Sequence, residues 1–233
     1  MKSKFLFALM LGALFALGAC NNEKDEPSGE EGKQGENFVG GHEYVDLGLP
    51  SGTLWATCNV GASSPEKPGS YFAWGETSQK NFYGWNNLAY CISYDDNTGQ
   101  GSFSKYNDTD GLSELQASDD AATFAWGSSW RTPTGNQYRE LVNECSWVWA
   151  KQNEVNGLLA TGPNGKTIFF PAAGFFYEGY VDGMGEFGDY WSCSTFQDTN
   201  ANSFAFGFED ELDFGVGADA RMDGLSVRAV VVR

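Results

Sequence analysis

The chain has 233 residues, 31 of them acidic against 14 basic, and a formal net charge of −17. So acidic a surface repels polyanions and offers no basic patch on which phosphates could displace counterions, which excludes nucleic acid as a partner. A single histidine, His42, excludes histidine-built metal centres and iron sites that need two histidines and a carboxylate, and it leaves a serine or cysteine nucleophile without a nearby base.

Lys2 and Lys4 precede an apolar run from Phe5 to Leu17 that ends in Gly18-Ala19-Cys20. Basic, apolar, then small is the order of an export signal, and the run is too short for the roughly 20 residues a membrane-crossing helix needs. Leu17-Gly18-Ala19-Cys20 looks like a bacterial lipobox, so residues 1–19 are expected to be removed and Cys20 lipidated, anchoring the chain to the membrane. Residues 20–41 carry Glu23, Asp25, Glu26, Glu30 and Glu31 among glycines, with Phe38 as their first large apolar side chain. Such a stretch buries too little to order itself and reads as a flexible acidic linker. It also resembles a surface-export signal of bacterial lipoproteins, so the expected address is the outer membrane, facing the cell exterior.

Residues 42–233 then read as one domain, since roughly 190 residues fill one sizeable core. Tyr44 to Gly61 alternates apolar positions around Pro50-Ser51-Gly52, the pattern of two short strands. A further extended piece follows at 69–76, and residues 77–117 show no lasting period and read as long loops. Ser118-Asp119-Asp120 is a favourable start for a short helix. Thr134, with Gln137 three residues on, is the start of a second, whose stripe is Tyr138, Leu141, Val142 and Cys145. Asn156-Gly157 and Pro163-Asn164-Gly165 mark the turns of a strand meander. Residues 174–188 hold five glycines and read as a long irregular excursion; strands are expected at 190–193, 203–208 and 225–232. The class is α+β, with short antiparallel strands, two short helices and long loops.

Several blocks together resemble one family. They are Val45 to Ala62, Tyr71-Phe72-Ala73-Trp74-Gly75-Glu76-Thr77, Trp130-Arg131-Thr132-Pro133-Thr134, Phe170-Pro171-Ala172-Ala173-Gly174, Tyr190-Trp191-Ser192 and Ser226-Val227-Arg228-Ala229-Val230. Across 43–232 they are similar to the Fibrobacter succinogenes major paralogous domain. The resemblance implies a C-type lectin-like fold, related to formylglycine-generating enzymes and to the variable proteins of diversity-generating retroelements, and implies no settled activity. Cys193 departs from the serine expected in Tyr-Trp-Ser-Ser-Ser.

With Cys20 lipidated, Cys58, Cys91, Cys145 and Cys193 remain, and in an oxidising compartment three pairings are open. The expectation leans to Cys58 with Cys145, with free thiols at Cys91 and Cys193 as the alternative. No cysteines stand at metal-binding spacing, and no metal or other cofactor is expected. Glu209, Asp210, Glu211, Asp213, Asp219 and Asp223 offer oxygen ligands of the kind Ca²⁺ takes, but without the EF-hand order, and read first as a solvated acidic face.

Trp55, Trp74, Trp130, Phe170 and Trp191 are expected in the core, with Arg131 and Arg228 as buried braces. A ligand surface is expected on the loops 175–187 and 196–221, through Tyr177, Tyr180, Phe196, Asp198, Phe206, Phe208, Asp210, Asp213, Phe214 and Arg221. There a ring beside a carboxylate suits a sugar face or a protein hot spot. The leading expectation is therefore a monomeric, non-catalytic binding module for a glycan or protein ligand. A carboxylate-dependent hydrolase and a structural subunit of a surface assembly are the alternatives.

Overall fold

The computed structural model describes residues 37–196 and 200–232. The signal segment, Cys20, the linker to residue 36 and Asp198 lie outside them. The described residues belong to one unit, Gln34–Arg233, which is mostly antiparallel β structure with two short helices.

Strands β1 (Phe38–Val39), β2 (His42–Asp46) and β3 (Leu54–Ala56) open the unit, and β4 (Cys91–Asp95) and β5 (Gln100–Phe103) form a hairpin. Helix α1 (Ala121–Trp126) leads to β6 (Trp130–Arg131) and α2 (Gly135–Glu144). The meander β7 (Ser146–Gln152), β8 (Val155–Thr161) and β9 (Thr167–Pro171) follows, then a small hairpin of β10 (Phe175–Tyr177) and β11 (Tyr180–Asp182). The sheet of β12 (Gly188–Thr195), β13 (Asn202–Phe208) and β14 (Phe214–Ala220) precedes the last strand, β15 (Val230–Val231). The chain closes on itself, because β15 inserts between β3 and β6 in a sheet of order β1-β2-β3-β15-β6.

The capping signals act as their spacing predicts. Thr134 Oγ1 accepts from the Gln137 amide (3.1 Å) and Gln137 Oε1 accepts from the Thr134 amide (2.9 Å), fixing the start of α2. Tyr138 and Leu141 are fully buried beneath it. In α1 the cap is Asp120 rather than Ser118. Its carboxylate accepts from the amides of Thr123 (2.8 Å) and Thr132 (3.0 Å), so one buried side chain ties the helix start to the segment before α2.

Trp55, Trp74, Trp130, Phe170 and Trp191 are all buried, as expected. They fall into two packed groups, one around Trp55, Tyr138, Phe170, Tyr190 and Phe206, the other around Trp74, Tyr106, Trp130 and Trp191. A third group under the β4–β5 hairpin holds Tyr71, Tyr83 and Phe103. Arg228 is the brace its position promises. It donates to Asn59 Oδ1 (2.7 Å) and to the carbonyls of Ala56, Thr57 and Phe169, and it lies 4.8 Å from the Phe170 ring centroid.

Several expectations change. Arg131 is not buried: it reaches Glu114 at 3.7 Å with about a third of its side chain exposed. The second buried brace is Arg221, which donates to the carbonyls of Asn202 and Tyr106 and to Ser203 Oγ, with its guanidinium 4.5 Å from the Trp74 centroid. Cys58, Cys91, Cys145 and Cys193 are four free thiols, so the Cys58–Cys145 pairing is replaced. Cys145 packs at the end of α2 against the larger core and Cys193 is buried within β12; burial pushes their thiols up to about 11 and about 12. Folded structure also begins before residue 42, since Phe38–Val39 pairs with His42–Glu43. The His42 ring stacks on Trp126, centroids 4.0 Å apart at 15°.

The meander forms, but its first turn is Asn153-Glu154 rather than Asn156-Gly157. Both residues take positive φ, 48° and 66°, as a two-residue hairpin turn requires. Gly157 lies inside β8, where a Cβ would stand 2.3 Å from the Phe170 carbonyl oxygen, so close strand packing explains that glycine. The excursion at 174–188 contains the β10–β11 hairpin, the loops at 77–117 contain β4 and β5, and the loop expected after 208 contains β14. In the opposite direction, most of 225–229 is irregular and only Val230–Val231 forms a strand.

Candidate functional site

The last sheet has two unlike faces. Cross-strand partners point the same way, and successive residues alternate. Tyr190, Phe206 and Val216 form one row, and Gly188, Phe208 and Phe214 the next. These face the core under α2, where Phe206 stacks on Tyr138 at 5.2 Å. On the other face Asp189, Gly207 and Gly215 form one row, Trp191, Ala205 and Gly217 the next, and Ser203 stands opposite Asp219.

Trp191, Ala205 and Ser203 are covered by the second core group and by Arg221. What remains is a trough of about 470 Å³, with Ala205, Gly207, Gly215 and Gly217 in its lining and Phe187, Asp189, Glu209, Asp213, Phe214 and Asp219 around them. That size suits a small ligand or a few units of a chain. Its glycines have separate causes. Gly207 leaves room for a neighbour, since a Cβ there would lie 2.5 Å from Asp189 Oδ1. Gly215 and Gly217 lack positive φ, and nothing lies within 4 Å of a Cβ built on either. Neither turn geometry nor internal packing asks for glycine at these two strand positions, where it costs roughly 0.5–1 kcal/mol relative to alanine. Their effect is to keep the trough open.

The carboxyls here are held well above their ordinary range. Burial, followed by repulsion from Asp219, Asp223 and Glu209, pushes Asp189 up to about 8. Burial and then Asp219 push Asp223 up to about 7, and burial alone pushes Asp219 up to about 6. At neutral pH the group therefore shares protons, presenting both carboxyl donors and carboxylate acceptors. Among the described residues no group of three or more His, Cys, Asp or Glu is placed to hold a metal ion.

Of the residues expected to bind, Asp213 lines this trough; Phe214 borders it, but its ring packs 5.1 Å from Trp147 on the core face. Phe208 also borders it, but it is 3% exposed and, like the fully buried Phe206, belongs to the core face of β13 rather than to a loop. Asp210 shapes the β13–β14 turn, its Oδ1 accepting from the amides of Leu212 (2.6 Å) and Asp213 (2.9 Å). Arg221 is buried among backbone carbonyls and rings, which leaves it no face for a ligand. Tyr177 and Tyr180 meet edge to face, centroids 6.5 Å apart, on the β10–β11 hairpin and do not line the trough. Phe196 meets Phe204 at 5.2 Å beside a separate depression with Arg139, Asn136 and Glu114. Asp189, Gly215 and Gly217 were not among the expected binding residues. The signal for β14 was present in Phe214, Val216, Ala218 and Ala220, four apolar residues at period two, but the intervening glycines and the acid read as loop.

No helix among the described residues is long and apolar enough to cross a membrane. No family model, no curated protein and no solved structure matches the chain.

Proposed function

We propose that this chain is a lipoprotein of the outer membrane, held by Cys20 and facing the cell exterior, whose folded unit binds a glycan or polypeptide non-covalently in the trough beside β14. The observation that carries this reading is the pair Gly215 and Gly217, two strand glycines that the fold does not require and that hold a carboxyl-lined groove open. Glycine within a strand often marks the close approach of a ligand or a second backbone. Membership of the Fibrobacter succinogenes major paralogous family, with its C-type lectin-like fold, is part of the proposal. Its support is that the resembling blocks converge: Trp55, Trp130 and Val230 lie in one sheet, with Phe170, Trp191 and Arg228 buried.

The test fills the groove. A double variant, Gly215→Val and Gly217→Val, is expected to fold and melt like the wild type, because both side chains enter open space. It is expected to lose whatever the wild type retains on glycan and peptide arrays. Equal retention by the variant, or no retention by the wild type on either array, would sink the reading.

A hydrolase is the second reading, favoured by one observation: Asp189 and Asp219 line the same groove, held up to about 8 and about 6. Carboxyls tuned apart in this way can serve as acid and base. Release of reducing ends from a polysaccharide that Asp189→Asn abolishes would favour it over simple binding.

A further inference from the structure

Resting on the trough as the binding site, we propose that the outer edge of β14 receives an extended polypeptide segment rich in lysine or arginine, added as a further strand with its cationic side chains reaching the trough carboxyls.

The first support is the edge itself. β14 is the terminal strand of the order β12-β13-β14, and its pairing runs from Phe214 to Ala220 against β13 alone. Every second residue of an edge strand turns its amide and carbonyl away from the sheet. Those outward groups belong to Phe214, Val216, Ala218 and Ala220; the Ala220 carbonyl accepts from the Asp223 amide (2.9 Å), and the others have no backbone or side-chain partner among the described residues. The strand is half-buried along almost its whole length, with only Gly217 exposed. The outward donors and acceptors of Phe214, Val216 and Ala218, spaced as alternate residues of a strand, match another polypeptide backbone, which a saccharide does not reproduce.

Charge decides which polypeptide. Asp189 on β12, Asp219 on β14, Asp223 beyond β14 and Glu209 beyond β13 lie close enough to act on one another, and no ion pair among the described residues brings a cation to any of them. A second copy of this chain would bring the same acids and its own net charge of −17 to the edge, so like charge guards the strand against self-pairing. A lysine- or arginine-bearing strand meets no such barrier. The open space over Gly215 and Gly217 gives its side chains a route to Asp189 and Asp219.

The experiment titrates the full purified chain with three synthetic probes: an alternating valine–lysine peptide, the same peptide with glutamate for lysine, and the lysine peptide N-methylated at alternate amides. The lysine peptide is expected to bind at least ~10-fold more tightly than the glutamate peptide, and N-methylation is expected to abolish binding. Affinity should rise between pH 6 and pH 8 as Asp219, Asp223 and Asp189 ionise. Calorimetry in two buffers of different ionisation enthalpy should then show proton release on binding near pH 7. Asp189→Asn with Asp219→Asn should weaken the lysine peptide ~10-fold or more without lowering the melting temperature, and bound peptide should protect β14 amides from hydrogen exchange. Equal binding of the N-methylated peptide, or no preference for lysine over glutamate, overturns the proposal. If these peptides fail while an array ligand is retained and then lost on filling Gly215 and Gly217, only the strand-addition inference falls. If both fail, the trough reading falls with it.

Discussion

The two faces of the β12–β14 sheet are made by the same three strands and do opposite work. Toward α2, Tyr190, Phe206 and Phe208 are almost completely buried; Phe206 stacks on Tyr138 and meets Phe170 edge to face, and Tyr190 stacks on Phe208. Toward the trough, the same strands present Asp189, Gly207, Gly215, Gly217 and Asp219. Apolar rings drawn from water contribute most of what holds a sheet in place, so one well-covered face can carry the strands while the other holds groups that cost stability. The braces repeat the division. Arg228 fixes the interior through four hydrogen bonds, whereas Asp189 stands repelled by the acids around it.

The largest expected effect breaks the covered face. Phe206→Ala removes a ring that meets Tyr138, Trp147, Phe170 and Phe208 and should cost about 3–5 kcal/mol in chemical denaturation. A loss below about 1 kcal/mol, the scale of an ordinary substitution, would show that this face does not carry the sheet.

A smaller, pH-dependent effect sharpens the contrast from the open face. The carboxyls of Asp189, Asp219 and Asp223 are raised above the ordinary value of 3.8, so between that value and about 8 the folded state holds more protons than the unfolded one. Their contribution is fully present below the unfolded value and is lost as pH rises through about 6, 7 and 8. Asp189→Asn should therefore melt higher than the wild type at pH 8.5, with the difference shrinking towards zero near pH 4. A constant difference across that range would mean that Asp189 does not titrate in the window.

The smallest effect concerns the trough floor. Gly215→Ala should raise stability by roughly 0.5 kcal/mol, because φ is not positive there and the added methyl enters open space. A loss would show that the strand needs glycine for its backbone, and the argument for an open floor would weaken.

Local signals in the sequence act where the physics is local. The Thr134–Gln137 capping box, the apolar stripe of α2 and the turn at Pro163-Asn164-Gly165 each depend on residues within a few positions of one another. Asn153-Glu154 was hidden because two non-glycine residues adopt positive φ there, while the more conspicuous Asn156-Gly157 was drawn into the strand by packing against Phe169 and Phe170. β14 was hidden for the opposite reason. Gly215, Gly217 and Asp219 have the composition of a loop, and only pairing with β13 makes them a strand.

The sequence by itself determined the acidic charge, the single histidine, the core tryptophans and the start of α2, because composition and short-range hydrogen bonding depend on no distant residue. The tertiary structure alone decided that four cysteines stay apart as thiols, that Arg221 rather than Arg131 is the second buried brace, and that Asp189 and Asp219 line one trough. These outcomes follow from strand register, which places residues far apart in the chain side by side, and register is fixed by the burial of whole faces rather than by any neighbouring residue.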